Sequence, residues 1–163
     1  MPEDRKRSGI IAKKGVGFNI SIASLGQLRS GIAISREEEE REIQKQIQDL
    51  GIKTASVNVN VETLSGGNQQ KVILARWLMK ENLKVLIIDE PTRGIDVGAK
   101  AEIYKILDQL ARKGVAILMI SSELPEIINL CDRVYIMNNG RIRGELNREE
   151  MDVTQEKVLH LAI

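Results

Sequence analysis

The hydrophobic and polar positions of the chain follow two different periods, which predict an ordered series of helices and strands. Apolar residues recur at helical spacing around Ile43, over residues 67–80 and after Asp96. Continuous apolar runs at residues 85–88 and 115–120 are typical of strands buried on both faces of a parallel sheet. The alternation of strand and helix predicts an α/β domain with a mainly parallel sheet.

Capping residues mark the ends of two predicted helices. Ser35 stands three residues before Glu38, the spacing of a capping box, and glutamates crowd the first turn, where the helix dipole favours them. Gly51 is placed to end this helix. Asp96 is expected to cap a later helix, which Gly114 would end.

The remaining segments carry weaker patterns. Residues 57–61 alternate between valine and asparagine, which predicts a short strand. A short helix is expected near residues 125–130, a hairpin over residues 134–146 and a final helix from about Thr154. Residues 1–34 give no clear pattern.

Composition places the chain among ordinary globular proteins. Of its 163 residues, 42% are hydrophobic and 29% are charged, and the net charge of +1 favours neither nucleic acid nor an acidic membrane. Aromatic residues make up 2%, so Trp77 is expected to pack rather than to stack on a base. Cys131 and His160, the only residues of their kinds, make no recognisable structural zinc site. No apolar run resembles a membrane span or a signal peptide, and a cytoplasmic location is expected.

The first candidate for chemistry lies at the start of the second predicted helix and comprises Leu64, Ser65, Gly66, Gly67, Asn68, Gln69 and Gln70. Two adjacent glycines at a helix start are costly for folding, which indicates that the backbone must approach something closely. A serine hydroxyl and free amides at a helix N-terminus also form an anion site. The alternative is a plain Ser-Gly-Gly turn that binds nothing.

The second candidate is a pair of acids, Asp89 and Glu90, after the predicted strand at residues 85–88. Ligands of open α/β sheets bind at the carboxyl ends of such strands. An aspartate at that edge can hold the magnesium of a nucleotide, and the next carboxylate can polarise an attacking water. Acids also often begin turns, so the pair alone is compatible with a structural role.

Together and in this order, the two segments resemble motifs of the ABC ATPase family. The resemblance identifies residues 64–70 as the signature motif, which would serve ATP held by a partner module. Residues 85–89 resemble the Walker B strand, with Asp89 at the Mg²⁺ site and Glu90 at the position of the catalytic glutamate.

Further runs of residues resemble one particular group within this family. Gly94, Ile95 and Asp96 resemble the D-loop, where Asp96 would contact the partner module as well as cap its helix. The run over residues 89–100 is similar to the second ATPase module of bacterial importers for ribose, galactose and related sugars. Residues 2–7 resemble the same group where its Q-loop lies.

The sequence departs from the family's pattern in several places. It contains no G-x-x-x-x-G-K-[ST] phosphate loop, which in the family precedes the Q-loop, so the chain is expected to begin after it. Ser122 stands at the position of the switch histidine, and Glu3 stands at the position of the Q-loop glutamine. The last two departures are typical of the second module in these sugar importers, where one ATP site is degenerate.

The resemblance implies a partial P-loop NTPase fold with the phosphate-loop half absent. Residues 1–80, approximately, would hold the Q-loop region, part of the helical subdomain and the signature helix, and residues 81–163 the Walker B, D-loop and switch part of the core. The implied cofactors are ATP and Mg²⁺. The implied partners are the other ATPase module, membrane permease subunits and, indirectly, a periplasmic sugar-binding protein. The protein would lie peripherally at the inner face of the cell membrane.

Two other classes of function share features with this sequence. An ATPase of chromosome maintenance or repair also carries a Ser-Gly-Gly signature, but it inserts long coiled coils before that motif, and the helix around Ile43 is too short. The chain by itself is better described as a non-catalytic docking fragment, because the chain lacks the phosphate loop. The isolated chain is expected to be inactive. It is also expected to self-associate through the uncovered strands 85–88 and 115–120.

Overall fold

The computed structural model describes residues 1, 5–30, 33–149 and 153–162. They form two units, residues 1–120 and residues 121–163, each with its own hydrophobic core. Glu3 lies outside the described residues, so its place in a Q-loop stays a prediction.

Helices and short strands alternate along the first unit. It contains a π-helical turn (Arg5–Gly9), α1 (Val16–Ser21), β1 (Arg29–Ser30), β2 (Ala33–Ile34), α2 (Arg36–Asp49), a 3-10 turn (Val61–Thr63), α3 (Gly66–Leu78), β3 (Val85–Asp89), α4 (Val97–Arg112) and β4 (Ala116–Ile120). Strands β1 and β2 pair antiparallel, whereas β3 and β4 pair in parallel with Val85 opposite Ala116. The crossover through α4 therefore gives this unit the predicted parallel strand pair.

The predicted helix ends are confirmed by the backbone and its caps. The Ser35 hydroxyl accepts from the Glu38 amide at 3.4 Å, and the Asp96 carboxylate accepts from the amide three residues later at 2.9 Å. Gly51 and Gly114 adopt positive φ where α2 and α4 end. The capping box at Ser35 is only half formed, because its own amide donates to a carbonyl of the preceding turn.

The predicted strand at residues 57–61 is wrong. The carbonyl of Val57 accepts from the Gly17 amide at 2.9 Å, and that of Val59 accepts from the Val16 amide at 3.0 Å. These amides open α1 and have no partner within that helix. The segment therefore caps a helix start instead of extending a sheet.

The core of the first unit lies between the helices and one face of β3 and β4. Leu86 and Ile88 point into it and are buried, whereas Val85 and Ile87 are 55% and 52% exposed. The prediction that residues 85–88 are buried on both faces is therefore wrong for this structure. The same holds for residues 115–120, because alternate side chains of β4 are also exposed.

A buried polar cluster holds the N-terminal segment against α3. The fully buried Asn19 side chain accepts from the Ile11 amide at 2.8 Å and donates to the Lys14 carbonyl at 3.3 Å. Arg76 donates to the Asn19 side chain at 2.8 Å and to the Gly9 carbonyl at 2.8 Å. Burial lowers the pKa of the Arg76 guanidinium. These bonds fix the irregular stretch before α1.

The second unit is a hairpin covered by helices. It contains α5 (Leu124–Leu130), β5 (Arg133–Asn138), β6 (Arg141–Asn147) and α6 (Gln155–Ala162). Asn139 and Gly140 both have positive φ, as a two-residue hairpin turn requires. The predicted hairpin and both helices are confirmed. Cys131 is partly buried, and this burial raises the pKa of its thiol.

In the part of the chain that the structure describes, no helix has the length and apolar character needed to cross a membrane.

Candidate functional site

Ser65 begins helix α3 and lies exposed at its first turn. Its hydroxyl makes no cap to the helix amides; instead it accepts from the Asn68 side-chain amide at 2.9 Å. The Asn68 carbonyl oxygen accepts from the Lys53 amide at 2.8 Å, which fixes the orientation of that side chain. Because Ser65 acts as the acceptor in this bond, its hydroxyl hydrogen can be donated to an anion.

The two glycines of the turn have different neighbours. A Cβ built on Gly67 would lie 2.4 Å from the Cβ of Ala99, so Gly67 is the place where α3 approaches α4. A Cβ on Gly66 would lie 3.2 Å from Ile95 Cγ2 and 3.4 Å from the Gly94 carbonyl oxygen. The close backbone approach inferred from the glycine pair is present, and for Gly67 the neighbour is a helix of the same unit.

Gln69 and Gln70 are buried and bind the surrounding backbone. Gln69 donates to the carbonyls of Leu64 and Glu62, at 3.0 and 3.2 Å. Gln70 donates to the Pro91 carbonyl at 2.6 Å. The first bonds hold the loop before Ser65, and the last one ties α3 to the turn that follows the acidic pair.

The acidic pair stands at the C-terminal edge of β3, as the sequence predicts. Asp89 is the last residue of the strand, and both acids are partly buried. Glu90 has a φ of 46°, which is uncommon for a residue other than glycine. Its amide donates to the Ile120 carbonyl at 2.8 Å, and its carbonyl accepts from the Arg93 amide at 3.3 Å. The backbone thus turns sharply at the acid.

The residues predicted as a D-loop lie beside Ser65 and Gly66, the turn at the start of the predicted signature motif. Ile95 and Gly94 flank Gly66, and Asp96 caps α4. The fold therefore brings residues 64–70 close to residues 94–95 of the predicted D-loop, and the bond from Gln70 connects them to the segment carrying Asp89 and Glu90.

The sequence also predicts roles for Ser122 and Trp77. Ser122 is exposed in the second unit, next to Ser121, whose hydroxyl donates to the buried carboxylate of Glu126. Trp77 is partly buried and packs against the core of the first unit, as predicted. Among the described residues, no group of histidine, cysteine or acidic side chains could hold a metal ion by itself.

Two basic residues near Ser65 and Gly66 could not be recognised from the sequence as part of this site. A terminal nitrogen of Arg5 lies 3.1 Å from the position of a Gly66 Cβ. Lys71 is 4% exposed, and its ammonium contacts the Glu102 carboxylate at 2.7 Å and the Gly51 carbonyl at 2.9 Å. Arg5 belongs to a basic run that is typical of solvated surface, and only the fold reveals its position.

Solved structures define the class of protein. The fold matches a nucleotide-free ATP-binding cassette from an ABC transporter with a TM-score of 0.75 and 25% identity, covering 94% of this chain and 64% of that one. It also matches the ADP conformation of an ATP-binding cassette with a TM-score of 0.71 and 27% identity, covering 93% and 63%. The chain thus has the fold of part of an ATP-binding cassette.

Sequence comparison defines the family. A sequence model of the ABC transporter family matches residues 2–93, more than half of the chain. The protein therefore belongs to the ABC transporter family.

Several relatives cover nearly the whole chain. It is 54% identical over 160 residues to a ribose/galactose/methyl galactoside import ATP-binding protein of Rhizobium etli, covering 98% of this chain and 30% of that protein. The L-arabinose transport ATP-binding protein AraG of Geobacillus stearothermophilus is 52% identical over 159 residues, covering 98% and 30%. The ribose import ATP-binding protein RbsA of Clostridium tetani is 48% identical over 164 residues, covering 100% and 32%. The chain thus spans about 30% of the length of these relatives.

Proposed function

We propose that this chain is the signature-bearing part of the ATP-binding subunit of a bacterial monosaccharide importer, which couples ATP binding and hydrolysis to sugar uptake. The observation that carries the proposal is that a Cβ on Gly66 would lie 3.2 Å from Ile95 and 3.4 Å from the Gly94 carbonyl oxygen, which supports a shared surface for the proposed signature turn (Ser65 and Gly66) and the proposed D-loop. The names of the relatives, which import ribose, galactose or arabinose, support the substrate class.

The first turn of α3 is the part that would act on ATP held by another module. The amides of a helix start and the positive end of the helix dipole favour an anion, and here the exposed Ser65 hydroxyl can add a hydrogen bond. A γ-phosphate that approaches Gly66 would meet no side chain from that residue. Donors fixed in advance around developing negative charge lower the barrier to phosphoryl transfer.

Asp89 and Glu90 would serve the nucleotide of this module's own site. Mg²⁺ is usually bound through one or two carboxylates together with nucleotide phosphates, and the acids at the end of β3 offer that donor set. Asp89 would hold the ion, which neutralises phosphate charge when bound. Glu90 would polarise the attacking water, and the turn at its backbone fixes where its side chain starts.

The proposed assembly includes a second ATPase module and membrane permease subunits, and it lies at the inner face of the cell membrane. Residues 94–96 are the proposed contact to the second module, with Asp96 both capping α4 and facing that module. A periplasmic sugar-binding protein would take part indirectly. The proposed division of the sequence near residue 80 separates the Q-loop and signature parts from the Walker B part.

For the 163-residue chain by itself, a docking role is the second candidate. Its sequence contains no lysine-bearing phosphate loop, and that absence favours docking over catalysis. We expect the isolated chain to bind Mg-ATP weakly and to show no hydrolysis above background. Isothermal titration calorimetry separates the two candidates, since micromolar affinity would favour a self-sufficient nucleotide site.

The proposed function is tested by replacing Ser65 with alanine in an assembled transporter that contains this sequence. Loss of the hydroxyl should lower the rate of ATP hydrolysis by about tenfold or more, as for other donors aimed at developing charge. Ser8→Ala, which removes another exposed serine hydroxyl, is the matched control and should leave the rate unchanged. Equal rates for both variants would argue against a signature role for Ser65.

A further inference from the structure

Arg5 spans the first turn of the signature helix. Its Nε donates to the side-chain oxygen of Gln69 at 3.1 Å. Its Nη2 lies 3.1 Å from the place that a Cβ of Gly66 would occupy. The guanidinium therefore donates to Gln69 and lies beside Gly66.

The amide of Gln69 extends this contact to the loop before the helix. Its nitrogen donates to the Leu64 and Glu62 carbonyls, so its oxygen must face Arg5. Gln69 is only 5% exposed, and loss of a partner would leave a buried polar atom unsatisfied. A chain of hydrogen bonds thus runs from Arg5 through Gln69 to the residue directly before Ser65.

The segment that carries Arg5 is itself anchored along α3. A Cβ on Gly9 would lie 2.7 Å from Ile73 Cδ1, and the Gly9 carbonyl accepts from Arg76 at 2.8 Å. The Arg5 carbonyl accepts from the Ile10 amide at 3.0 Å, which closes the π-helical turn. The backbone of the turn that carries Arg5 is therefore held in place by residues of α3 that lie beyond Gln69.

We propose that Arg5 is a positioning residue for the signature turn, acting through Gln69 to fix the loop that presents Ser65. The inference rests on the proposed function, in which Ser65 and the first amides of α3 act on ATP held by another module. Arg5 then governs the geometry of hydrolysis, while nucleotide affinity depends on the phosphate loop of that other module.

The first experiment uses hydrogen exchange of the 163-residue chain and does not depend on ATP hydrolysis. Arg5→Gln should speed amide exchange over residues 62–68 about tenfold, because a hydrogen bond from a charged donor is lost. Arg29→Gln removes the same charge from an exposed side chain of β1 and should leave exchange over residues 62–68 unchanged. Arg5→Lys keeps the charge and a donor and should restore most of the protection.

The second experiment measures turnover in the assembled transporter. Arg5→Gln and Gln69→Ala should each lower kcat about tenfold with ATP affinity unchanged within about twofold, and the double variant should be no slower than the slower single one. Additive losses, or an equal loss in Arg29→Gln, would overturn the role of Arg5.

The two proposals fail in different ways. If Ser65→Ala slows turnover while Arg5→Gln changes neither exchange nor kcat, the positioning role is wrong and the proposed function stands. If Ser65→Ala and Arg5→Gln both leave turnover unchanged, the proposed function fails, and unchanged exchange over residues 62–68 would then reject the structural link as well.

Discussion

Gly67 and Ala99 meet where α3 crosses α4, and a Cβ on Gly67 would lie only 2.4 Å from the Cβ of Ala99. Carbon atoms pack favourably at about 3.5–4.0 Å, so no side chain fits at this position without movement of a helix. This contact also sets the first turn of α3 beside the loop that leads into α4. Gly67, the second glycine of the predicted signature motif, therefore has a packing role within its own unit.

Gly67→Ala should destabilise the chain. Forcing an extra methyl group into a packed helix crossing costs about 1–3 kcal/mol. The free energy of unfolding, measured in urea on the 163-residue chain, gives this cost directly.

The matched control for this prediction is Gly26→Ala, because a Cβ built on Gly26 meets nothing within 4 Å. Ala99→Gly should recover part of the loss in the Gly67→Ala background by removing the opposing Cβ. Equal stability of Gly67→Ala and Gly26→Ala would contradict the packing explanation.

The pair formed by Lys71 and Glu102 predicts acid sensitivity. A hydrogen bond and the charge of Lys71 lower the pKa of the Glu102 carboxyl from its ordinary value of 4.5. A carboxyl with a lowered folded-state pKa stabilises the protein above its unfolded value, and this stability is lost as the pH falls through the folded value. The contribution should therefore be complete at neutral pH, begin to decline near pH 4.5 and be lost as the pH falls through the lowered pKa of the folded protein.

Glu102→Gln tests this pH dependence. At pH 7 the variant should be less stable by about 1 kcal/mol, because Glu102 is half exposed and water screens the pair. The difference from the original chain should shrink as the pH falls, which urea unfolding at several pH values measures. Asp108→Asn breaks the pair with Arg112, in which both side chains are exposed, and should have a smaller effect at pH 7 than loss of the pair with the buried Lys71. A stability difference between Glu102→Gln and the original chain that stays the same at acid pH would contradict the role of the pair of Lys71 and Glu102.

Local signals in the sequence account for both ends of α2 and of α4. Ser35 and Asp96 have side chains that accept from helix amides, and Gly114 adopts the positive φ that ends a helix. These features depend on neighbours within a few residues, so a single sequence contains them. The motif positions at residues 64–70 and 89–96 could be located for the same reason.

Contacts between distant segments could not be predicted. Val57 and Val59 alternate with polar residues like a strand, yet their carbonyls serve the amides of Val16 and Gly17. Arg5 reaches Gln69 across 64 positions of the sequence. In both cases the deciding partner is set by the fold, and no local pattern identifies it.

The exposed face of β3 and β4 predicts self-association of the 163-residue chain. Ile87 and Leu118 are direct neighbours in the strand register and are 52% and 54% exposed, with Val85 and Ile120 on the same face. Burial of such an apolar surface favours association, and light scattering should detect dimers or larger species at high concentration.

Changes on this face should weaken the association. Ile87→Ser combined with Leu118→Ser should shift the chain towards monomer. The control pair Met137→Ser and Ile142→Ser removes equally exposed apolar side chains from the hairpin of the second unit. A monomer at all concentrations, or an equal shift towards monomer in the control, would count against this face as the site of self-association.

In the assembled transporter, Gly66 should matter more to turnover than Glu90 does. On the proposed function, Gly66 faces ATP held by the other module, whereas Glu90 serves a site where Ser122 replaces the switch histidine. Gly66→Leu would force a side chain between the first turn of α3 and Ile95, would thereby displace the amides proposed to face the γ-phosphate, and should cost roughly 3 kcal/mol, about a hundredfold in rate.

Glu90→Gln keeps the shape of the side chain and should leave much of the activity, because its own site contributes little turnover. The measurement is the steady-state ATPase rate of each variant, with thermal unfolding to show that Gly66→Leu, whose new Cβ would lie 3.2 Å from Ile95, still folds. If Gly66→Leu does not fold, Ser65→Ala, which adds no bulk, replaces it in the comparison. If Glu90→Gln abolishes turnover while both signature variants remain active, the roles of the two sites are reversed, and the acidic pair of this module acts on the ATP that is hydrolysed.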